Sequence, residues 1–202
     1  MSRQLSLAFR SGVGVDISER MIAGARTFNP GTEFMVNTDP DLRLIDDSSI
    51  DFVYSHIVLQ HIRPSLQGVF IAEFMRVLTV GGVAAFQVVT EIGRDRRPVW
   101  RRAISRLPRP AKAVLRRIAG RASTSGVELE MHVIPHDLVV RIIEAHGGLI
   151  VASPFTNSAD PGHNGAIRFF DRETAVARAA TEPGASPILS RFYLVRRGRS
   201  RP

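Results

Sequence analysis

The stretch Val83-Ala84-Ala85-Phe86-Gln87-Val88-Val89 constrains this chain more than any other. It is nearly all apolar and short, and it follows the pair Gly81-Gly82. Such a run has no polar face to turn to water, so it suits a strand covered on both faces, as in a parallel sheet. The preceding segment, residues 66–78, places Leu66, Val69, Phe70, Phe74, Val77 and Leu78 on one face of a helix that would lie on that sheet. Helix then buried strand is half of an alternating α/β unit.

The same alternation runs upstream. Val13-Gly14-Val15-Asp16 is a short apolar run ending in an acid, and Met21, Ile22 and Ala25 follow at helical spacing. Ser18 is placed to cap that helix, Glu19 sits in its positive first turn, and Asn29-Pro30-Gly31 ends it. Residues 33–38 read as a strand running into Asp39-Pro40-Asp41, and residues 50–55 as another. Downstream, Leu138, Val139, Ile142, Ile143 and His146 form an amphipathic face closed by Gly147-Gly148, with a strand at 149–152. Residues 191–196 are expected to form a final edge strand. Residues 92–130 carry two helical patterns separated by the helix breakers Pro108 and Pro110. Residues 156–190 are expected to be an irregular surface loop with one short helix. The expectation is one domain over residues 1–202, a doubly wound, Rossmann-like, mostly parallel sheet.

Composition narrows the function classes. The chain has 202 residues, 44% hydrophobic and 23% charged, enough for a real core. It has no cysteine, which excludes disulfides, thiolate metal sites and a cysteine nucleophile. No apolar run approaches the ~20 residues of a membrane span, and the first ten residues are too weakly apolar for a secretory signal, so a cytoplasmic location is expected. The net charge of +8 is local: between Arg94 and Arg121 eleven basic residues face the single acid Asp95, and the rest of the chain carries −2.

Asp16 is the first candidate functional residue. An acid at the carboxyl end of a parallel strand stands where α/β sheets bind ligands, and its two oxygens can accept both hydroxyls of a ribose. The alternative is that it caps the next helix. The order of the other elements favours the ligand: Asn37-Thr38-Asp39 and Ser55-His56 end the following strands. In that order the segments GVDISERMIAGAR, VNTDPDL, IDFVYSHIVLQHI and FMRVLTVGG resemble the class I S-adenosylmethionine-dependent methyltransferases, strongly over residues 13–89 and loosely beyond.

The resemblance implies the cofactor S-adenosylmethionine, with Asp16 on the ribose. The adenine would lie between Ile17 and Leu42, with Asn37 or Asp39 near its amino group, and Ser55 and His56 beneath the methionine part. In this family a strand and a glycine-rich turn precede the GVDIS segment, and here twelve residues precede Val13. The resemblance therefore implies a chain that starts after that turn, either from a start placed too late or as a true fragment, and that is expected to bind the cofactor weakly or not at all.

His61 can take a proton from a substrate hydroxyl, since an imidazole titrates near neutrality, or can simply pack and hydrogen-bond beside the site. His56 is expected to shape the pocket. His132, His136 and His163 do not have metal-ligand spacing, and no metal is assigned. The basic segment is a solvated surface, or a cap over the substrate entrance with Trp100 and Arg101 in it, or a membrane-surface patch through residues 94–121. With one Trp and no Phe or Tyr it makes a poor base-stacking platform, so a nucleic-acid partner is not expected.

The implied activity is methyl transfer to a small-molecule acceptor, such as a hydroxyl of a sugar, lipid or secondary metabolite. The rival is an inactive methyltransferase-like chain that binds a partner protein or an anionic surface through its arginines. The oligomeric state is left open.

Overall fold

The computed structural model describes residues 8–92, 131–160, 166–182 and 185–199. The expected alternation is present. Strand β1 (Val13–Asp16) leads into helix α1 (Glu19–Phe28), followed by β2 (Glu33–Val36) and β3 (Ile50–Ser55). A 3-10 turn (Leu59–His61) precedes α2 (Pro64–Val77), which runs directly into β4 (Leu78–Ile92). After residue 130 come α3 (His136–Ala145), β5 (Gly148–Ala152), β6 (Phe155–Thr156), β7 (Phe169–Phe170), α4 (Arg172–Thr181) and β8 (Ile188–Arg197). The residues between 156 and 190 thus contain the expected helix and also a short strand pair, β6 with β7.

Local chemistry explains the element ends. Ser18 accepts the Met21 amide at 3.3 Å as the N-cap of α1, and Asn29 is its C-cap. Pro64 opens α2 where its missing N–H is no loss. The strand after α2 begins earlier than the glycine pair suggests, at Leu78, and passes through Gly81 with φ of 88°, a conformation that favours glycine.

Strands β1 and β2 pair in parallel, as do β3 and β4. The two pairs belong to separate sheets: β1-β2 is one, and the other runs β3-β4-β8-β6-β7, with β5 also on β8. Among the described residues β1 and β3 therefore each keep one unpaired edge. Strand β8 was expected at an edge and is central, antiparallel to β4 along its length and flanked on its other side by β5 and β6. The run Phe192-Tyr193-Leu194-Val195 is continuously apolar, as suits a strand with neighbours on both sides. Tyr193 and Val195 are fully buried on the helix-covered face, while Arg191 packs its guanidinium on the Phe155 ring at 3.8 Å and Arg197 donates to the Arg76 carbonyl at 3.2 Å. These arginines lie along protein surface rather than in open water.

The main core lies between that sheet and helices α2 and α3. Ile71, Phe74 and Met75 of α2, Val139 and Ile143 of α3, and Phe86, Val88, Tyr193 and Val195 of the strands meet there. Phe86 stacks on Tyr193 at 5.3 Å between ring centroids. Tyr193 is fully buried, so its hydroxyl needs a partner, and it finds Nδ1 of His136. Nδ1 can accept that hydrogen only while it is unprotonated, and burial lowers the His136 pKa.

The unfolded chain therefore binds the proton more readily than the folded one. This site's contribution to stability is complete above about pH 6.5 and is lost as pH falls toward the lowered folded-state value. We expect the urea midpoint to fall between pH 7.5 and 5 by more in the wild-type chain than in His136→Gln, whose side chain can still accept from Tyr193. Equal falls in the two proteins would show that His136 does not titrate with folding.

Candidate functional site

The carboxyl ends of β1 and β2 are tied together, with the Asn37 amide donating to the Asp16 carbonyl at 2.9 Å. Asp16 is exposed, and one carboxylate oxygen accepts the Ser18 amide at 2.8 Å. The helix cap is Ser18, so Asp16 shapes only the turn and presents the rest of its carboxylate at the strand end. Ile17 beside it is 70% exposed, an apolar side chain open at the mouth of a strand.

The other expected adenine contacts are distributed differently. Asn37 is buried, with its side-chain oxygen accepting from the Asp39 amide at 3.2 Å and its nitrogen donating to the Asp41 carbonyl at 2.6 Å. It holds the turn that displays Asp39, which is exposed. Leu42 packs against the main core.

The loop that carries Leu42 is fixed by α2. Arg76 donates to the carbonyls of Leu42 and Ile45, at 2.8 and 2.9 Å, and pairs with Glu73 at 2.7 Å. Glu73 in turn accepts the Leu42 amide at 2.8 Å, and the adjacent guanidinium holds its carboxyl below the usual range.

At the end of β3, Ser55 is buried and His56 places Nε2 2.8 Å from the Ser158 hydroxyl, which is 3.0 Å from that of Thr156. Ile57 follows with φ of 59°, the left-handed region that a β-branched residue avoids. Its amide donates to Oε1 of Gln87 at 3.2 Å. Gln87 donates through Nε2 to Oε1 of Gln60 at 2.9 Å, and Nε2 of Gln60 lies 3.1 Å from Nε2 of His61. The Gln60 carbonyl also accepts the His132 amide at 2.8 Å, tying the loop to the chain that enters α3.

The structure therefore gathers His56, Ile57, Gln60 and His61 over the end of β3, and Asp16, Ile17 and Asp39 over the ends of β1 and β2. Trp100, Arg101, His163 and the basic segment 94–121 lie outside the described residues. Among the described residues two concavities lie elsewhere, one of about 660 Å³ beside Asp41, Arg43 and Glu73, and one of about 860 Å³ beside His146 and Arg197; neither is lined by Asp16, His56 or His61. Among the described residues no cluster of three or more His, Asp or Glu is arranged to hold a metal, and no helix is long and apolar enough to cross a membrane.

Gln60, Gln87 and Ser158 were not singled out in the sequence. Gln87 alone left a signal there, as the one polar side chain inside the apolar run of β4.

Comparison with known proteins agrees with this architecture. Residues 1–86 match the model of the family described as methyltransferase domain. A SAM-dependent methyltransferase from Methanosarcina mazei is 17% identical over 96% of this chain and 86% of that one, with a TM-score of 0.55. A Haloferax volcanii methyltransferase, solved in complex with the Trm112 methyltransferase activator, is 14% identical over 95% of this chain and 73% of its own, with a TM-score of 0.56. The magnesium protoporphyrin IX methyltransferase of Synechocystis PCC 6803, solved with bound SAH, is 16% identical over 92% and 63%, with a TM-score of 0.50. Among curated proteins none matches the chain.

At these identities the likeness to the solved structures is one of fold. The fold is the Rossmann-like fold of the class I methyltransferases. The resemblance carried by the sequence motifs holds over residues 1–86 as well.

Because Arg76 ties the β2–β3 loop to α2 through charged hydrogen bonds, Arg76→Met should destabilise the chain by about 2–3 kcal/mol in urea unfolding. Hydrogen exchange should rise first at Leu42 and Ile45. A change below about 0.5 kcal/mol would show that the loop is held by packing alone.

Proposed function

We propose that the chain is an S-adenosylmethionine-dependent methyltransferase acting on a small-molecule acceptor. The observation that carries the reading is Asp16: an exposed carboxylate at the carboxyl end of a parallel strand, beside the open Ile17 and joined to the turn that displays Asp39.

The residues present suit this cofactor. A ribose diol takes two charge-assisted hydrogen bonds from the outward part of the Asp16 carboxylate. Ile17 offers an apolar surface to an adenine, and Asp39 an acceptor for an exocyclic amine. Asn37 contributes by fixing that turn. Ser55 and His56 stand at the end of β3, with Ser158 orienting the His56 ring. When bound, the cofactor supplies an electrophilic methyl group on a sulfonium. The protein's task is then to line up an acceptor with that methyl, an alignment that can supply much of the rate by itself.

The acceptor in this reading is a small molecule, with a hydroxyl of a sugar, lipid or secondary metabolite as the working choice. Trp100 and Arg101 belong to the segment that would cover its entrance. The similarity of fold supports the reaction class and leaves the acceptor to be read from the site.

Calorimetric titration of S-adenosylmethionine into the wild-type chain and Asp16→Asn tests the reading. The asparagine keeps an oxygen for the Ser18 amide and loses the charge and one acceptor. Affinity should fall about 10- to 100-fold, the loss of one hydrogen bond to a charged group. Equal affinity in the two proteins would remove Asp16 from the cofactor site.

A further inference from the structure

Gln60, Gln67 and Gln87 are all buried, and Gln87, fully so, lies in the middle of β4 beneath the loop after β3. The two ends of a primary amide have nearly the same shape, so the direction in which each glutamine points is set by its partners. Here one partner is unambiguous. The Ile57 amide can only donate, so the group of Gln87 that faces it at 3.2 Å is the oxygen. Nε2 of Gln87 then faces Gln60 at 2.9 Å, and a donor there requires the Gln60 oxygen. That leaves Nε2 of Gln60, again a donor, 3.1 Å from Nε2 of His61. The imidazole nitrogen must accept, and its proton belongs on Nδ1.

We propose that Gln87 is a positioning residue that sets the tautomer of His61, through Gln60, with Nε2 as the acceptor and Nδ1 carrying the hydrogen. The same amide holds Ile57 in its left-handed conformation, so one buried side chain fixes both the shape of the loop and the polarity of its histidine. In the other tautomer, or in the imidazolium, an Nε2 hydrogen would confront the Gln60 amide hydrogens. His61 in this setting presents a hydrogen-bond donor and does not serve as a base through Nε2.

The consequence for catalysis rests on the methyltransferase reading: a hydroxyl acceptor at this site loses its proton to a group other than Nε2 of His61. The tautomer itself does not depend on that reading.

Replacing Gln87 with a carboxylate reverses the chain of donors. In Gln87→Glu the side chain accepts from both Ile57 and Gln60, Gln60 turns its oxygen toward His61, and the imidazole hydrogen moves to Nε2. Gln87→Met removes the relay while keeping the length of the side chain.

The measurement is a two-bond 1H–15N correlation spectrum of the histidine rings in the full chain at mildly alkaline pH, with the His61 signals assigned through His61→Gln. The wild type should show the Nδ1–H pattern, Gln87→Glu the Nε2–H pattern, and Gln87→Met a mixture. A purely structural role for Gln87 would leave the tautomer unmoved. An Nε2–H pattern in the wild type overturns the proposal, as does an Nδ1–H pattern retained in both variants. If Gln87→Glu fails to fold, the wild-type spectrum and Gln60→Met, expected to give the same mixture, decide it. None of these readouts needs cofactor or acceptor. An inactive protein with the Nδ1–H pattern refutes the methyltransferase reading alone, and an active one with Nε2–H refutes the tautomer alone.

Discussion

The backbone of Ile57 lies in a region that costs a side-chain-bearing residue on the order of 1–2 kcal/mol, and the hydrogen bond from its amide to Gln87 is what offsets that cost. The dependence runs both ways. Strand β4 is buried along most of its length, and a polar side chain there would destabilise the core by a similar amount if left unpaired. Gln87 is tolerated because the loop closes over it, and the loop takes its shape because Gln87 is there. From this contact follow the placement of the 3-10 turn, the approach of Gln60 to His61, and the tie from Gln60 to His132 that brings the chain back toward α3. Strain at a strand end is a common feature of sites that must hold side chains in one arrangement.

Much of the fold was legible because its elements announce themselves locally. Ser18, the stop Asn29-Pro30-Gly31 and the apolar spacing of α2 and α3 act within a few residues of where they stand, and the elements from β1 to β4 follow them. The errors came where burial is non-local. Two arginines of β8 lie on Phe155 and on the carbonyl of Arg76, and neither contact can be read from residues 191–197 alone. Likewise, no local pattern says that the β1–β2 pair and the β3–β4 pair occupy separate sheets.

The candidate site divides in the same way. Asp16 and Ile17 are where the pattern places them, because a strand end followed by a capped helix leaves few other positions. Asn37 and Leu42 have the surroundings of structural residues: the one is engaged by Asp39 and Asp41, the other by the core and by the ties to Glu73 and Arg76. The glutamine relay was invisible apart from Gln87, since its meaning depends on a backbone amide 30 residues away.

The central claim is that one cofactor spans the ends of β1 and β2 and the loop after β3. Titration of S-adenosylhomocysteine into 15N-labelled chain, followed residue by residue, tests it most directly. The account predicts saturable shifts at Asp16, Ile17, Thr38 and Asp39 together with Ser55, His56 and Ile57. Shifts confined to the concavities beside Arg43 or Arg197, with the strand ends unmoved, would contradict it.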